Sequence, residues 1–384
     1  MTRLEEFMQL CAVQSKSNEE ELMQTYVLKH LRDYKRLCKN SGQKFKYSRD
    51  EHGNIFAVKG RVKDGEYFPF LTCHLDTVHD ILETDLHVKT AIGKSGTKVF
   101  AMGRAEERYG RWDKKTRKTQ PIYKFRRVGL GSDDKNGIFA CLNLLHILPV
   151  VKVGFFVGEE IGCKGSNASS EERYQNVGYF IAIDRMNSGD IIGLHNYCSD
   201  EFKKKVLTVG KRYGYQSANG SYTDSLTLGR KYELSAINVS CGYYSPHTDT
   251  EYTIFEELTN AIDFVHDLVK TIGLQKFEYK KAVVQTYTGN QYGRTGRYFR
   301  NYEDDVDHGY NRTIRRVLPM TQYYGLYWGV EFKGIHPEFN CPHCSKPLDK
   351  FENDYAGFLS CRNCKSVFLR KGYYSNYGYD SYFV

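Results

Sequence analysis

The 384-residue sequence has no run of about 18 apolar residues, the length a bilayer-crossing helix needs. Its opening, MTRLEEFMQL, carries acids where a secretory signal requires an unbroken apolar stretch. A soluble, cytoplasmic protein with no membrane contact is the expectation. There is also no arginine-rich block. The formal charge of +9 at pH 7 comes from scattered lysines and arginines, which reads as a solvated surface more than as a nucleic-acid track. No internal repeat is evident, and Ser132 lacks the GxSxG setting of a nucleophile elbow, which argues against a serine nucleophile. Paired cysteines are missing from most of the chain. Cys11, Cys38, Cys73, Cys141, Cys163, Cys198 and Cys241 stand alone among the eleven, a pattern that suits a reducing compartment.

What is present fits one sizeable α/β domain and a smaller module, because a single core stops growing near roughly 250 to 300 residues. Apolar residues recur at helical spacing over 4–13 and 19–37, with Ser17 or Asn18 expected to cap the second helix through a side-chain oxygen. Strand-like segments follow at 54–58 and 67–73. The interval 80–127 reads as irregular and charged, and its Arg104, Arg108, Arg111 and Arg117 lie close in sequence to the first metal-compatible motif. A helix over 137–148, strands over 151–157, 178–183 and 236–240, and an amphipathic helix over 254–272 complete an alternation that predicts a mostly parallel central sheet covered by helices.

Five segments each carry a metal-compatible side chain after an apolar run or in a turn: His74, Asp133, Glu160, Asp184 and His247. Imidazole and carboxylate suit zinc, and two cations about 3.5 to 4 Å apart need a carboxylate that bridges them. Asp133 is the choice for that bridge. Asp76, two residues beyond His74, is placed to orient the imidazole. Glu159 and Glu160 are adjacent, so their side chains diverge and can serve as general base and ligand respectively. His79 follows the first motif and receives no role, like the remaining histidines.

Together HLDTV, GSDDKNG, VGEEIG, IAIDR and YSPHTDTEY resemble, in order, the five ligand motifs of the co-catalytic dizinc peptidase superfamily, which includes peptidase T and the bacterial leucyl aminopeptidases. The resemblance covers roughly residues 4–274 and implies a zinc-exopeptidase-like fold. It also implies His74 and Asp184 on one zinc, Glu160 and His247 on the other, Asp133 bridging, Asp76 supporting and Glu159 as base. Co2+ or Mn2+ can substitute at such an open site. Only residues 185–246 separate the fourth and fifth ligands, too few for the inserted lid or dimerisation domain of peptidase T-like members. The expected activity is therefore that of an aminopeptidase acting on a peptide. A dizinc N-acyl amino acid deacylase acting on a small amide, or a non-catalytic peptidase-fold scaffold, are the alternatives.

Farther on, CPHC and CRNC set Cys341, Cys344, Cys361 and Cys364 in two pairs with sixteen residues between them, the spacing of a four-thiolate structural zinc site. The segment resembles a zinc ribbon. The expected organisation is a metallopeptidase domain over 1–280, a Tyr/Arg/Gly-rich linker over 281–335, the ribbon over 336–372 and a tyrosine-rich tail over 373–384. Ribbon and tail are the expected contact for a protein or nucleic-acid partner.

Overall fold

The computed structural model describes residues 1–279, except 83–85, 107–110, 114–116, 121 and 221–222, together with the backbone of 349–350, 358–360 and 367–369. The expected linker, the four ribbon cysteines and the tyrosine-rich tail lie outside the described residues. The chain divides into two units, Met1–Thr286 and Tyr287–Val384.

The first unit opens with helices α1 (Arg3–Cys11) and α2 (Glu21–Asn40) and strands β1 (Phe45–Arg49), β2 (Ile55–Lys59) and β3 (Phe68–His74). Strands β4 (His87–Gly93), β5 (Gly96–Glu106), β6 (Arg111–Asp113), β7 (Lys118–Gln120) and β8 (Tyr123–Val128) follow. Next come α3 (Ser132–Ile147), β9 (Val151–Phe156), α4 (Lys164–Ala168), β10 (Val177–Arg185), β11 (Asp190–Ile192) and α5 (Asp200–Gly210). The unit ends with β12 (Gln216–Ser217), α6 (Asp224–Tyr232), β13 (Ala236–Ser240), β14 (Tyr243–Tyr244), β15 (Tyr252–Ile254) and α7 (Phe255–Ile272). In the second unit β16 (Asp349–Lys350), β17 (Phe358–Ser360) and β18 (Val367–Leu369) pair antiparallel.

Eight strands form the main sheet in the order β1-β2-β9-β3-β10-β13-β11-β12. The central four, β9, β3, β10 and β13, are parallel, while β1, β2 and β11 attach antiparallel at the flanks. Strands β3 and β9 are buried along their whole length, as continuous apolar runs are when helices cover both faces of a sheet. Alternation sends Leu71 and Phe155 into one core with α1, α2, α3, α5 and α7. Phe70, Phe156 and Phe180 enter the other, against α6. Truncating a fully buried phenylalanine such as Phe180 to alanine costs about 3 to 5 kcal/mol. The expected covered α/β sheet is the observed fold.

Two expectations change. The described residues between 87 and 128 are not irregular: β4, β5 and β8 pair antiparallel, and β15 and β14 join them in a second sheet. On β5 the buried positions are Val99, Ala101, Gly103 and Ala105, three of them small, so the period-2 pattern carries little hydrophobicity to see. Helix α2 is capped by neither Ser17 nor Asn18. Glu20 occupies the cap position without a side-chain cap bond, and the Ser17 hydroxyl donates instead to Asp76 Oδ2 at 2.7 Å. No described helix is long and apolar enough to cross a membrane.

Candidate metal centre

Open α/β sheets put ligands outside the carboxyl ends of their strands. Here three neighbouring parallel strands deliver side chains to one edge: β9 leads into Glu159 and Glu160, β3 ends at His74, and β10 carries Asp184. Asp133 sits in the first turn of α3 with non-helical torsions, and His247 follows β14 at a positive φ of 61°. The chain thus brings together all five expected ligands.

They fall into two trios, His74, Asp133 and Asp184, then Asp133, Glu160 and His247; within each, one donor atom per residue lies within 4.8 Å of the others. His74 Nε2 is 3.1 Å from Asp133 Oδ1 and 3.6 Å from Asp184 Oδ1. His247 Nε2 is 3.1 Å from Glu160 Oε1 and 3.4 Å from Asp133 Oδ2. The two oxygens of Asp133 therefore face opposite halves. Glu159 stands beside the first trio, its Oε2 3.9 Å from His74 Nε2.

The imidazole of His74 is held in one orientation. Its Nδ1 lies 3.0 Å from the Asp76 carbonyl oxygen, which can only accept, so Nδ1 carries a hydrogen and Nε2 is the nitrogen turned toward the carboxylates. Asp76 does more than orient this ring. Its buried carboxylate accepts the backbone N–H groups of Glu159 at 3.0 Å and Glu160 at 3.3 Å, as well as the Ser17 hydroxyl. One side chain thereby ties the β3 and β9 loops together. Asp184 is fixed in turn by the Thr223 hydroxyl at 2.7 Å and by two hydrogen bonds between its backbone and the Asn238 amide.

Charge is unbalanced in this space. Burial pushes the carboxyls of Glu159, Glu160 and Asp184 up, the last to about 6, with the Asp133 carboxylate adding to the rise in each. Asp133 goes the other way: burial opposes, but hydrogen bonds from His247 and His74 hold it well below the usual range. His247 is raised to about 11, first by Asp133 and then by Glu160. For His74, burial alone would lower the imidazole, yet Asp184, Asp133 and Asp76 outweigh it and raise it well above its ordinary value. Four clustered carboxylates facing two imidazoles are a surplus of buried negative charge, which is costly unless paired or bound to cations. The donor set, nitrogen and oxygen with one shared carboxylate, fits two such cations.

Sequence reasoning passed over three neighbours. Asp134 is buried behind the site and accepts the His74 backbone N–H at 3.2 Å and the Gly137 N–H at 2.8 Å. Asp224, at the start of α6, accepts the Ser166 hydroxyl at 2.5 Å, while its second oxygen has no hydrogen-bond partner; burial raises this carboxyl to about 7. Glu251, four residues after His247, is fully buried against the Asp133 turn. Its place in YSPHTDTEY was the available signal.

Beside the centre lies a cavity of about 470 Å3, lined by His247, Thr77 and Gly131 and by Arg104, Tyr123 and Arg126 of the second sheet. Of the arginines singled out in the sequence, Arg104 reaches this cavity; Arg108 lies outside the described residues and Arg117 is exposed.

No family model and no curated protein sequence matches the chain. Solved structures do. The aminopeptidase PepT from Bacillus cereus superposes with a TM-score of 0.51 at 15% identity, over 70% of this chain and 98% of that one. A tripeptidase from Staphylococcus aureus gives 0.48 at 14% identity, covering 70% and 97%. An aminopeptidase from the archaeon Desulfurococcus kamchatkensis gives 0.47 at 18% identity, covering 69% and 93%. Identity this low establishes the fold alone.

Proposed function

We propose that this chain is a dizinc metallopeptidase of aminopeptidase type, with His74 and Asp184 on one zinc, Glu160 and His247 on the other, and Asp133 on both. The observation that carries the reading is the division of the Asp133 carboxylate between two trios, with an acid that belongs to neither, Glu159, at their side. The PepT fold supports it. Cobalt or manganese would serve at the same donors.

Bound zinc supplies Lewis acidity to the scissile carbonyl and lets water react at neutral pH. The protein's own part falls to Glu159, which takes the proton of the attacking water and hands it to the leaving amine. Its low exposure keeps that proton from solvent, and the Cys163 thiol, donating to Oε1 at 3.6 Å, fixes its direction. Asp76 holds His74 and the Glu159–Glu160 backbone in one frame. The cavity beside His247 would take the peptide.

Between Asp184 and His247 the described chain returns to the main sheet through β11, β12 and β13. This supports a catalytic domain without a further domain inserted there, and recognition of a free amino terminus. The four cysteines of CPHC and CRNC would hold one structural zinc, a reading supported by the short antiparallel strands that end before Cys361 and begin after Cys364. All seven cysteines among the described residues are free, which fits a cytoplasmic location.

A panel of aminoacyl, amino-blocked peptidyl and N-acyl substrates on the zinc-loaded full chain tests this directly. Turnover is expected with a free amino terminus and should vanish on chelation. Hydrolysis of N-acyl compounds alone would replace the peptidase with a deacylase, and no turnover from a fully loaded centre would remove the catalytic reading.

A further inference from the structure

The five ligands leave open what keeps the shared carboxylate in register with both halves of the centre. We propose that Glu251, seconded by His79, is the positioning residue for Asp133. The inference rests on the dizinc reading above and concerns two residues outside the five ligands.

Glu251 is 0% exposed, on the segment between β14 and β15. A carboxylate so deep is costly unless its oxygens are satisfied. Its Oε1 accepts the Asp133 backbone N–H at 3.2 Å; its Oε2 accepts the Gly131 N–H at 2.6 Å and faces His79 Nε2 at 2.8 Å. These three donors come from two of the loops that build the centre. Gly131 and Asp133 belong to the turn that presents the bridging carboxylate, and His79 closes the loop that begins at His74 and Asp76. The backbone of Glu251 itself carries the third, four residues after His247. One buried carboxylate thus fastens all three.

The surroundings leave the latch little freedom. A Cβ on Gly129 would fall 2.0 Å from the His79 ring, so the ring lies flush on that backbone and only glycine fits. Arg127 grips the same segment from the other side, its guanidinium donating to the Thr250 carbonyl at 3.0 Å and the Glu251 carbonyl at 2.9 Å, and Arg126 pairs with Asp249. Both arginines stand on β8, so the second sheet braces the loop that bears His247.

Because the latch acts on Asp133, which faces both trios, loosening it should weaken both ions together. Had Glu251 merely anchored the His247 loop, only the Glu160–His247 half would suffer. Glu251→Gln keeps the shape but turns an amide N–H toward at least one of the donors now paired with an oxygen. Zinc binding by the full-length protein, measured by competition with a chromophoric chelator, is expected to fall about 10- to 100-fold at both positions of the centre, and the visible spectrum of the cobalt-loaded centre should change. The thiolate site of CPHC and CRNC serves as an internal reference that stays constant.

Should Glu251→Gln fail to fold, His79→Gln supplies the second arm, with a fall in the same direction at both positions that is smaller, about several-fold. Unchanged affinities with an unchanged cobalt spectrum would overturn the proposal, as would a loss confined to one ion. Absence of zinc from the centre of the unmodified protein would sink the dizinc reading instead, so the two failures are distinguishable.

Discussion

His74 and Asp184 leave adjacent parallel strands of the main sheet, and their side chains are 1% and 7% exposed. His247, in the other half, projects from a turn outside that sheet and is 47% exposed. The first pair is braced by Asp76, Thr223 and Asn238, all packed on the sheet edge. The second depends on Arg126 and Arg127, which hold a loop between two short strands. One half is thus carried by the central strands themselves. The other is carried by a loop that joins the second sheet, whose strands β4, β5 and β8 lie between His74 and Asp133 in sequence.

The largest expected effect tests whether catalysis depends on a group that belongs to neither half. Glu159→Gln should lower kcat by about a thousandfold, within the range for loss of a general base, while two zinc ions remain bound. Steady-state kinetics and metal analysis of one preparation check both statements. Retained turnover would move the base elsewhere, and lost zinc would make Glu159 a ligand.

Next in size is a stability difference between the halves. In metal-free protein, His74→Ala leaves Asp133, Asp184 and Glu159 facing one another in a buried space, and removing one partner of a buried charge cluster costs about 3 to 5 kcal/mol. His247→Ala removes a half-exposed partner, for which about 1 kcal/mol or less is expected. Urea unfolding of the two variants measures the gap. Equal losses would mean that the loop-borne half is as firmly built as the sheet-borne one.

Legibility in the sequence followed the same division. Phe68–His74 could be read because an apolar run stops abruptly at a polar HLDTV, and Ala236–Ser240 because it is short, β-branched and bounded. The regular part of α3 was visible from Gly137 onward, while the turn before it, where Asp133 and Asp134 leave helical torsions, is set by tertiary contacts to Glu251 and His74. Helix α5 and strand β11 escaped notice, both lying in the unassigned stretch between the fourth and fifth ligands. For Glu251 the one signal was its place in YSPHTDTEY, since its burial depends on packing that the sequence does not display.

The smallest effect concerns protons. In the metal-free protein Asp133 and Glu160 raise His247 to about 11, and Asp184, Asp133 and Asp76 overcome burial to raise His74. At pH 7 the His247 ring therefore carries a proton on the nitrogen that faces the carboxylates, and the His74 equilibrium is shifted in the same direction. A ring nitrogen must lose that proton before it can ligate, so loading releases protons and the loaded state binds fewer of them. Apparent zinc affinity must then rise with pH, over a window that extends upward toward about 11 for the His247 half. The slope reports the count of protons displaced, about tenfold in affinity per pH unit for each. Calorimetric zinc titrations in two buffers of different ionisation heat give that count, and His247→Ala should lower it by one while leaving the His74 contribution in place. An unchanged count would place the raised imidazole on the sheet-borne half alone, and the two halves would then differ in charge as well as in rigidity.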